Sequence, residues 1–171
     1  MYNRAHYSMT IAELNSLDCS RFVEAIGWVF EDSPWVAERA WLARPFVSLE
    51  ALHTAMKAAV EVARHEEQLA LLKAHPDLGT FAHISIASAE EQAGAGLDRL
   101  TPEEFERLQL MNSAYRSQFG FPFLFAVKGS TKYDVLNALE RRRNATPDEE
   151  FREALRQVYR IAESRLRDVI Q

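Results

Sequence analysis

At the centre of this chain stand LKAHPDLG (72–79), TFAHISIA (80–87) and SAEEQAGAGL (88–97). Elsewhere, apolar residues mostly recur every three or four positions, which is typical of amphipathic helices. The repeat stops here because Pro76 lacks the N–H that a continuing helix requires, and Gly79 frees the backbone. A histidine and several carboxylates lie in the same short span. We therefore expect any chemistry to be centred on this interruption.

Outward from this stretch, the chain shows repeated signals for the start of a helix. A threonine followed three residues later by glutamate, as at Thr10, Thr101 and Thr146, predicts a capped helix start. Ser48 opens another helical pattern. Ser88 has the same spacing to Glu91, so the sequence predicts that a helix resumes at Ser88. The chain should contain seven or eight helices.

One segment does not follow the helical pattern. FGFPFLFAV at residues 119–127 is apolar throughout and contains a proline, which predicts an extended, buried segment. We expect an all-α fold in a single compact domain covering residues 1–171. The alternative is an α/β fold, in which residues 123–127 and 82–87 form strands.

Composition narrows the classes of function. The formal net charge of -5 argues against nucleic acid or an anionic membrane as the main partner. No stretch approaches the roughly 20 apolar residues of a membrane span, and the first residues lack the apolar core of a signal peptide. We expect a cytoplasmic protein. Cys19 is the single cysteine, so it forms no intrachain disulfide, and it is more typical of a small core residue than of a nucleophile.

His75 is the first candidate for chemistry. A residue directly before proline is held in extended backbone, which can aim the imidazole rigidly into a cavity. Histidine suits general acid–base work because its ordinary pKa lies near neutrality. The structural alternative is that His75 only caps the C-terminus of the preceding helix.

Ser88, Glu91 and Gln92 form the second candidate. Their position at a predicted helix N-terminus could present them to an anionic or polar ligand. The same spacing is also explained by a capping box alone. Both interpretations can hold together.

Metal chemistry has weaker support. His65 begins a zinc-protease pattern, but Leu69 stands where the second histidine is required. His75, Asp77 and His83 could gather a metal ion, although loop residues at such spacing are usually not ligands. We expect no metal site.

Two further features lie towards the C-terminus. The backbone of Phe123–Val127 could line a planar ligand, since no helix would consume its N–H and C=O groups. Arg165 lies close to the apolar stripe of the last helix and therefore needs an anion, from the protein or from a substrate. Arg141, Arg142 and Arg143 are expected to lie on the solvated surface.

Four segments, taken in order, resemble a known family. They are AHPDL (74–78), SAEEQ followed by AGL (88–97), FGFPF followed by AVKG (119–129), and IAESRL (161–166). Together they resemble the 2-oxo-4-hydroxy-4-carboxy-5-ureidoimidazoline (OHCU) decarboxylases of urate degradation. Ala138 to Arg142 is similar to the family as well.

The resemblance implies an all-helical enzyme that decarboxylates a small molecule to (S)-allantoin and CO2 without a cofactor, and it suggests a homodimer. His75 would match the family's catalytic imidazole, and we expect Glu91 to orient or polarise it. The positions that would match substrate-binding residues are Pro76, Ser88, Gln92, Phe123, Leu124, Phe125, Ala126, Val127 and Arg165.

Three other functions stay open from the sequence. The span between His75 and Ser88 is shorter than the family's usual form, so the substrate could be a related small cyclic acid. A non-catalytic helical interaction module predicts no cavity and an exposed His75. Metal-dependent hydrolysis predicts a bound metal.

Overall fold

The computed structural model describes residues 8–171, which fold into nine α-helices and two short 3₁₀ turns. The helices are α1 (Ile11–Ser16), α2 (Cys19–Ile26), α3 (Trp35–Trp41), α4 (Leu49–Glu61), α5 (His65–Lys73), α6 (Ile86–Gly94), α7 (Pro102–Phe119), α8 (Lys132–Arg142) and α9 (Pro147–Val169). Within these residues no strand forms, and Met9 and Ile170 make an isolated β-bridge. The all-α prediction is confirmed, and the α/β alternative is wrong.

Most helix boundaries follow the capping chemistry that the sequence indicated. Thr10 and Thr101 each form a complete capping box with the glutamate three residues later. Thr146 makes the same reciprocal bonds with Glu149 at the start of α9. Gly120 ends α7 in the left-handed conformation, with φ at 81°.

The start of α6 was predicted three residues too late. Ser85, not Ser88, is the N-cap, and its hydroxyl accepts the backbone N–H of Ser88 at 3.2 Å. Both serines have a suitable side chain, but the earlier start places Ala87 and Ser88 on the buried face of the helix. The spacing of Ser88 to Glu91 favoured the later start, and the earlier start is accompanied by the burial of Ala87 and Ser88.

The chain divides into two compact units. The first comprises Met1–Gln68 and Tyr159–Gln171, and the second comprises Leu69–Val158. The core of the first unit includes Phe22, Ile26 and Leu52. That a single domain covers the whole chain stays a prediction.

In the second unit, α7 turns one face to the core. Leu108, Met111 and Tyr115 are buried as the helical repeat predicted. The same repeat, continued back to Phe105, predicts an inward side chain there as well, but 47% of its surface is exposed, so that prediction is wrong. It lies in the first turn of α7, one turn before the buried stripe begins. None of the helices between residues 8 and 171 has both the length and the apolar composition of a membrane span.

Candidate active site

His75 lies just beyond the end of α5 and is buried, with 5% of its surface exposed. Its Nδ1 lies 2.9 Å from the carbonyl oxygen of Leu71, in the last turn of α5. A carbonyl can only accept, so Nδ1 must carry the proton, and Nε2 holds the lone pair of the neutral ring. The imidazole therefore caps α5 and is oriented by that cap. The capping interpretation of His75 is confirmed, and its catalytic role stays a prediction.

The turn after His75 is fixed by side chains from two helices. Gln92 of α6 accepts the N–H of Gly79 at 2.7 Å through Oε1. Asn112 of α7 donates to the carbonyl of Leu78 at 2.8 Å, and Arg116 pairs with Asp77 at 2.9 Å. The turn is thus held through both its backbone and its carboxylate side chain.

Helix α6 supplies the predicted polar residues of this region. Ser88 and Gln92 are four residues apart, and both are buried on one face of the helix. Glu91 is half-buried beside Gln92. The structure brings Gln92 to the turn that follows His75, where its amide holds the backbone. The expected role of Glu91 in orienting His75 stays a prediction, as does a substrate contact from Gln92.

The segment from Phe123 to Val127 is extended and lies in the same unit. Phe123, Leu124 and Val127 are buried, whereas Phe125 and Ala126 are half-buried. Side chains form hydrogen bonds with its backbone at two points. The carbonyl of Leu124 accepts from Arg142 Nη1 at 2.6 Å, and the N–H of Ala126 donates to Gln157 Oε1 at 2.9 Å. A ligand contact at Ala126 therefore has to use other atoms than this N–H.

A buried polar network supports this segment. Arg142 pairs with Glu150, which also accepts the hydroxyl of Tyr115, and the guanidinium lies 4.5 Å from the centre of the Phe123 ring. Burial, and then the hydrogen bond to Glu150, raises the pKa of the Tyr115 phenol well above its usual range. The network gives each of its buried charges a partner.

Arg142 corrects the sequence interpretation. It was expected on the solvated surface with Arg141 and Arg143, but only 8% of it is exposed. It follows the buried Leu139 by three positions, so it lies on the inward face of α8. The run of three consecutive arginines suggested a solvated surface, although the helical spacing from Leu139 to Arg142 indicates an inward position.

Arg165 belongs to the first unit and is buried there, with 2% of its surface exposed. Its Nη1 lies 2.9 Å from Glu31 Oε2 and 3.4 Å from the carbonyl of Val29. The protein therefore supplies an anion for Arg165, the carboxylate of Glu31, as one of the two sources that the sequence left open. A guanidinium has five donors and can serve a second acceptor, so substrate binding by Arg165 stays a prediction.

Sequence reasoning missed three buried polar residues that bind the turn at residues 77–79 or the segment at residues 123–127. They are Asn112, Arg142 and Gln157. Each lies on the buried face of its helix, so the helical repeat could have found them. Asn112 follows Leu108 by four positions, which is one turn of helix.

Two other regions hold charged or histidine side chains that a site could use. An open cleft of about 420 Å³ between α7 and α8 is lined mainly by charged residues, including Glu103, Arg107 and Glu140, and by none of the predicted site residues. His83, considered as a metal ligand, is exposed. Within residues 8–171, no three acidic, histidine or cysteine side chains are gathered closely enough to hold a metal ion.

The chain is similar to proteins of known name along most of its length. A protein of Haloferax volcanii named 2-oxo-4-hydroxy-4-carboxy-5-ureidoimidazoline decarboxylase is 48% identical over 94% of this chain and 95% of its own length. A Bacillus subtilis protein named as a bifunctional protein of uric acid degradation is 44% identical over 94% of this chain, which spans 33% of that protein.

A solved structure extends the similarity to the fold. The crystal structure of an (S)-allantoin synthase superposes with a TM-score of 0.76 at 36% identity. The match covers 95% of this chain and 54% of the crystallised one, so the chain spans about half of that protein. The family model for OHCU decarboxylase matches residues 15–167. This chain therefore belongs to the OHCU decarboxylase family.

Proposed function

We propose that this protein decarboxylates 2-oxo-4-hydroxy-4-carboxy-5-ureidoimidazoline to (S)-allantoin and CO2 in urate degradation. The observation that carries the proposal is a buried, pre-oriented imidazole at position 75 in a chain of this family. The non-catalytic alternative required His75 to be exposed, which is wrong. The substrate is a small molecule, and the chain needs no cofactor for the reaction proposed.

The reaction asks for few chemical groups. The bond between the ring carbon and the carboxylate breaks, CO2 leaves, and the electron pair remains on the ring. The adjoining C=N can delocalise this charge, so the ring itself acts as the electron sink. A proton must then reach the neighbouring, ureido-bearing ring carbon from one face, which sets the handedness of allantoin. The hydroxyl proton moves to the ring nitrogen as the hydroxyl-bearing carbon becomes the carbonyl of allantoin. The protein has to hold a planar ring and place one proton donor.

We assign the proton donor to His75. Leu71 holds the Nδ1 proton, so a protonated ring can release the proton on Nε2 while keeping its orientation. Glu91, half-buried on α6, is proposed to favour the charged imidazole that this step needs.

Substrate binding is proposed to use the remaining predicted positions. The face of α6 with Ser88 and Gln92, the rigid Pro76, and the backbone of Phe123–Val127 would hold the ring and the ureido group. Arg165 would bind a carboxylate or carbonyl as a planar donor fork while paired with Glu31.

The test is a coupled assay in which urate is oxidised, its product is hydrolysed enzymatically, and (S)-allantoin is followed by circular dichroism. The protein should accelerate formation of the (S) enantiomer. His75→Asn should lower kcat by about 10²–10⁴-fold, the scale of a lost general acid. Glu91→Gln should lower kcat in the same direction.

His83→Asn is the matched control for His75→Asn. His83 is an exposed histidine in the same loop with φ at 59°, a conformation that asparagine tolerates. This variant should keep the wild-type rate. A His75→Asn protein that made (S)-allantoin at a near-normal rate would falsify the assignment of His75. Turnover of a related cyclic acid in preference to OHCU would instead favour the alternative substrate.

We further propose a cytoplasmic homodimer. The first unit exposes Leu42 and Val47, which follow α3, the helix that contains Trp35 and Trp41. We propose that these apolar side chains belong to the interface. Light scattering coupled to size exclusion should give twice the chain mass. Val47→Glu should then shift the protein towards the monomer, and a monomeric wild type would refute this arrangement.

A further inference from the structure

We propose that Asn112 is a positioning residue for His75. It would act through the turn at residues 77–79. Asn112 is the central member of a stripe of three residues on α7, with Leu108 and Arg116 on either side. Its effect on catalysis rests on the function proposed above. The three residues are four positions apart, so they lie on one face of the helix.

Each member of the stripe contacts a different residue of the turn. Arg116 pairs with the side chain of Asp77, and Asn112 donates to the carbonyl of Leu78 at 2.8 Å. Leu108 lies against Gly79, where an added Cβ would come within 2.7 Å of its Cδ2. The stripe thus follows three consecutive residues of the loop, beginning two positions after His75.

Asn112 is a buried polar residue whose amide donor is used to bind the turn. Only 3% of the residue is exposed, and its Oδ1 is buried without a hydrogen-bond partner among the described residues. An amide oxygen left in this state lowers stability, which leucine at the same position would avoid. The bond from its Nδ2 to Leu78 is the contact that an apolar side chain cannot supply.

The geometry explains how the turn controls the imidazole. The bond to Leu71 fixes the Nδ1 end of the ring, whereas the backbone of His75 is fixed by the chain on either side. Pro76 makes the connection to the turn stiff, since its φ cannot adjust. A displaced turn would therefore move the imidazole relative to a substrate, and a misplacement near 1 Å can reduce a rate by about 10²-fold.

Asn112→Leu tests this inference, with Asn15→Leu as its matched control. Asn15 also donates its amide to a loop carbonyl at 2.8 Å, that of Phe46, but it lies in the first unit. Asn15→Leu should lower the melting temperature, because it loses two hydrogen bonds to Phe46. Asn112→Leu loses one bond together with one unpartnered oxygen, so its melting temperature should fall less. Asn112→Leu should lower kcat by about 10²-fold with a smaller change in KM, whereas Asn15→Leu should keep kcat per folded molecule.

A second pair of variants covers the case in which Asn112→Leu fails to fold. Arg116 and Arg107 are both partly exposed arginines of α7, and they pair with Asp77 and Glu140 respectively. Arg116→Gln should lower kcat several-fold, and Arg107→Gln should not change it. Equal kcat values for both variants would contradict the role of the stripe.

The imidazole can also be observed without a substrate. Nitrogen-15 NMR spectra, with His75 assigned by its loss in His75→Asn, should show shifted His75 signals in Asn112→Leu or Arg116→Gln and unchanged ones in the two controls. If the wild type made no (S)-allantoin but these shifts appeared, only the proposed function would fail. Unmoved His75 signals with wild-type kcat would overturn the positioning role itself.

Discussion

Gly79 shows how tightly a single position of the His75 loop is constrained. Its φ of 84° lies in the left-handed region, and a Cβ there would come within 2.7 Å of Leu108 Cδ2. A side chain at this position therefore meets both backbone strain and a steric conflict with a buried leucine. The first cost is set by conformation and the second by packing.

Gly79→Ala separates these two costs when it is compared with Gly129→Ala. Gly129 has nearly the same φ, 81°, but an added Cβ would meet nothing within 4 Å. Gly129→Ala should lower the free energy of unfolding by about 1–2 kcal/mol, the conformational cost alone. Gly79→Ala should lower it further, as measured by urea denaturation. Equal losses would mean that Leu108 yields freely.

At the scale of a helix, the capping box at Thr101 shows how the sequence fixes the start of α7. Thr101 accepts the N–H of Glu104, and the carboxylate of Glu104 accepts the N–H of Thr101, so two helix-terminal donors are satisfied. Lys132 also contacts Glu104. The hydrogen bond from Lys132, and then that from the backbone of Thr101, lowers the pKa of the Glu104 carboxyl. The start of α7, which carries Asn112, is thereby fixed.

Thr101→Ala should lower the free energy of unfolding by about 1 kcal/mol, because one N-terminal N–H loses its side-chain acceptor. Thr54→Ala is the control. Thr54 is exposed in the middle of α4, where alanine favours the helix, so this variant should be neutral or slightly more stable. Chemical denaturation of both variants measures the difference. An unchanged Thr101→Ala protein would show that the cap is dispensable.

At the scale of the whole molecule, two buried tyrosines link stability to alkaline pH. Burial raises the pKa of Tyr159 to about 12, and it raises that of Tyr115 further with the help of Glu150. The folded state binds these protons more tightly than the unfolded chain, whose tyrosines titrate near about pH 10. The stabilising effect is complete below that pH and is lost as the pH rises above it.

Tyr115→Phe should therefore change the pH dependence of stability as well as its size. Below about pH 9 the variant should be about 1–3 kcal/mol less stable, since Glu150 loses a buried donor. Above about pH 10 its free energy of unfolding should fall less steeply than that of the wild type. Tyr133→Phe, at an exposed position, should keep the wild-type slope. Denaturation curves at several pH values would show whether the slopes differ.

The sequence predicted the fold better than it predicted the polar contacts of the site. Most helices and caps follow from local spacing, although nine helices form among the described residues where seven or eight were predicted. The extended segment begins after Gly120 rather than at Phe119, which is the last residue of α7. The family resemblance identified at residues 74–166 is confirmed. Arg142 was misplaced because neighbouring charges suggested a solvated surface. Asn112 was overlooked because an amide on an apolar face carries no motif.

The sequence by itself determined what depends on neighbours along the chain. It set where helices begin and end, that Pro76 interrupts them, and which family the chain belongs to. Only the tertiary structure decided which polar atoms meet, because Asn112 and Leu78 are 34 residues apart and helix periodicity carries no information about that pairing. The same holds for the start of α6, where the local spacing of Ser88 to Glu91 favoured Ser88, but the folded chain has Ser85 as the cap with Ala87 and Ser88 buried.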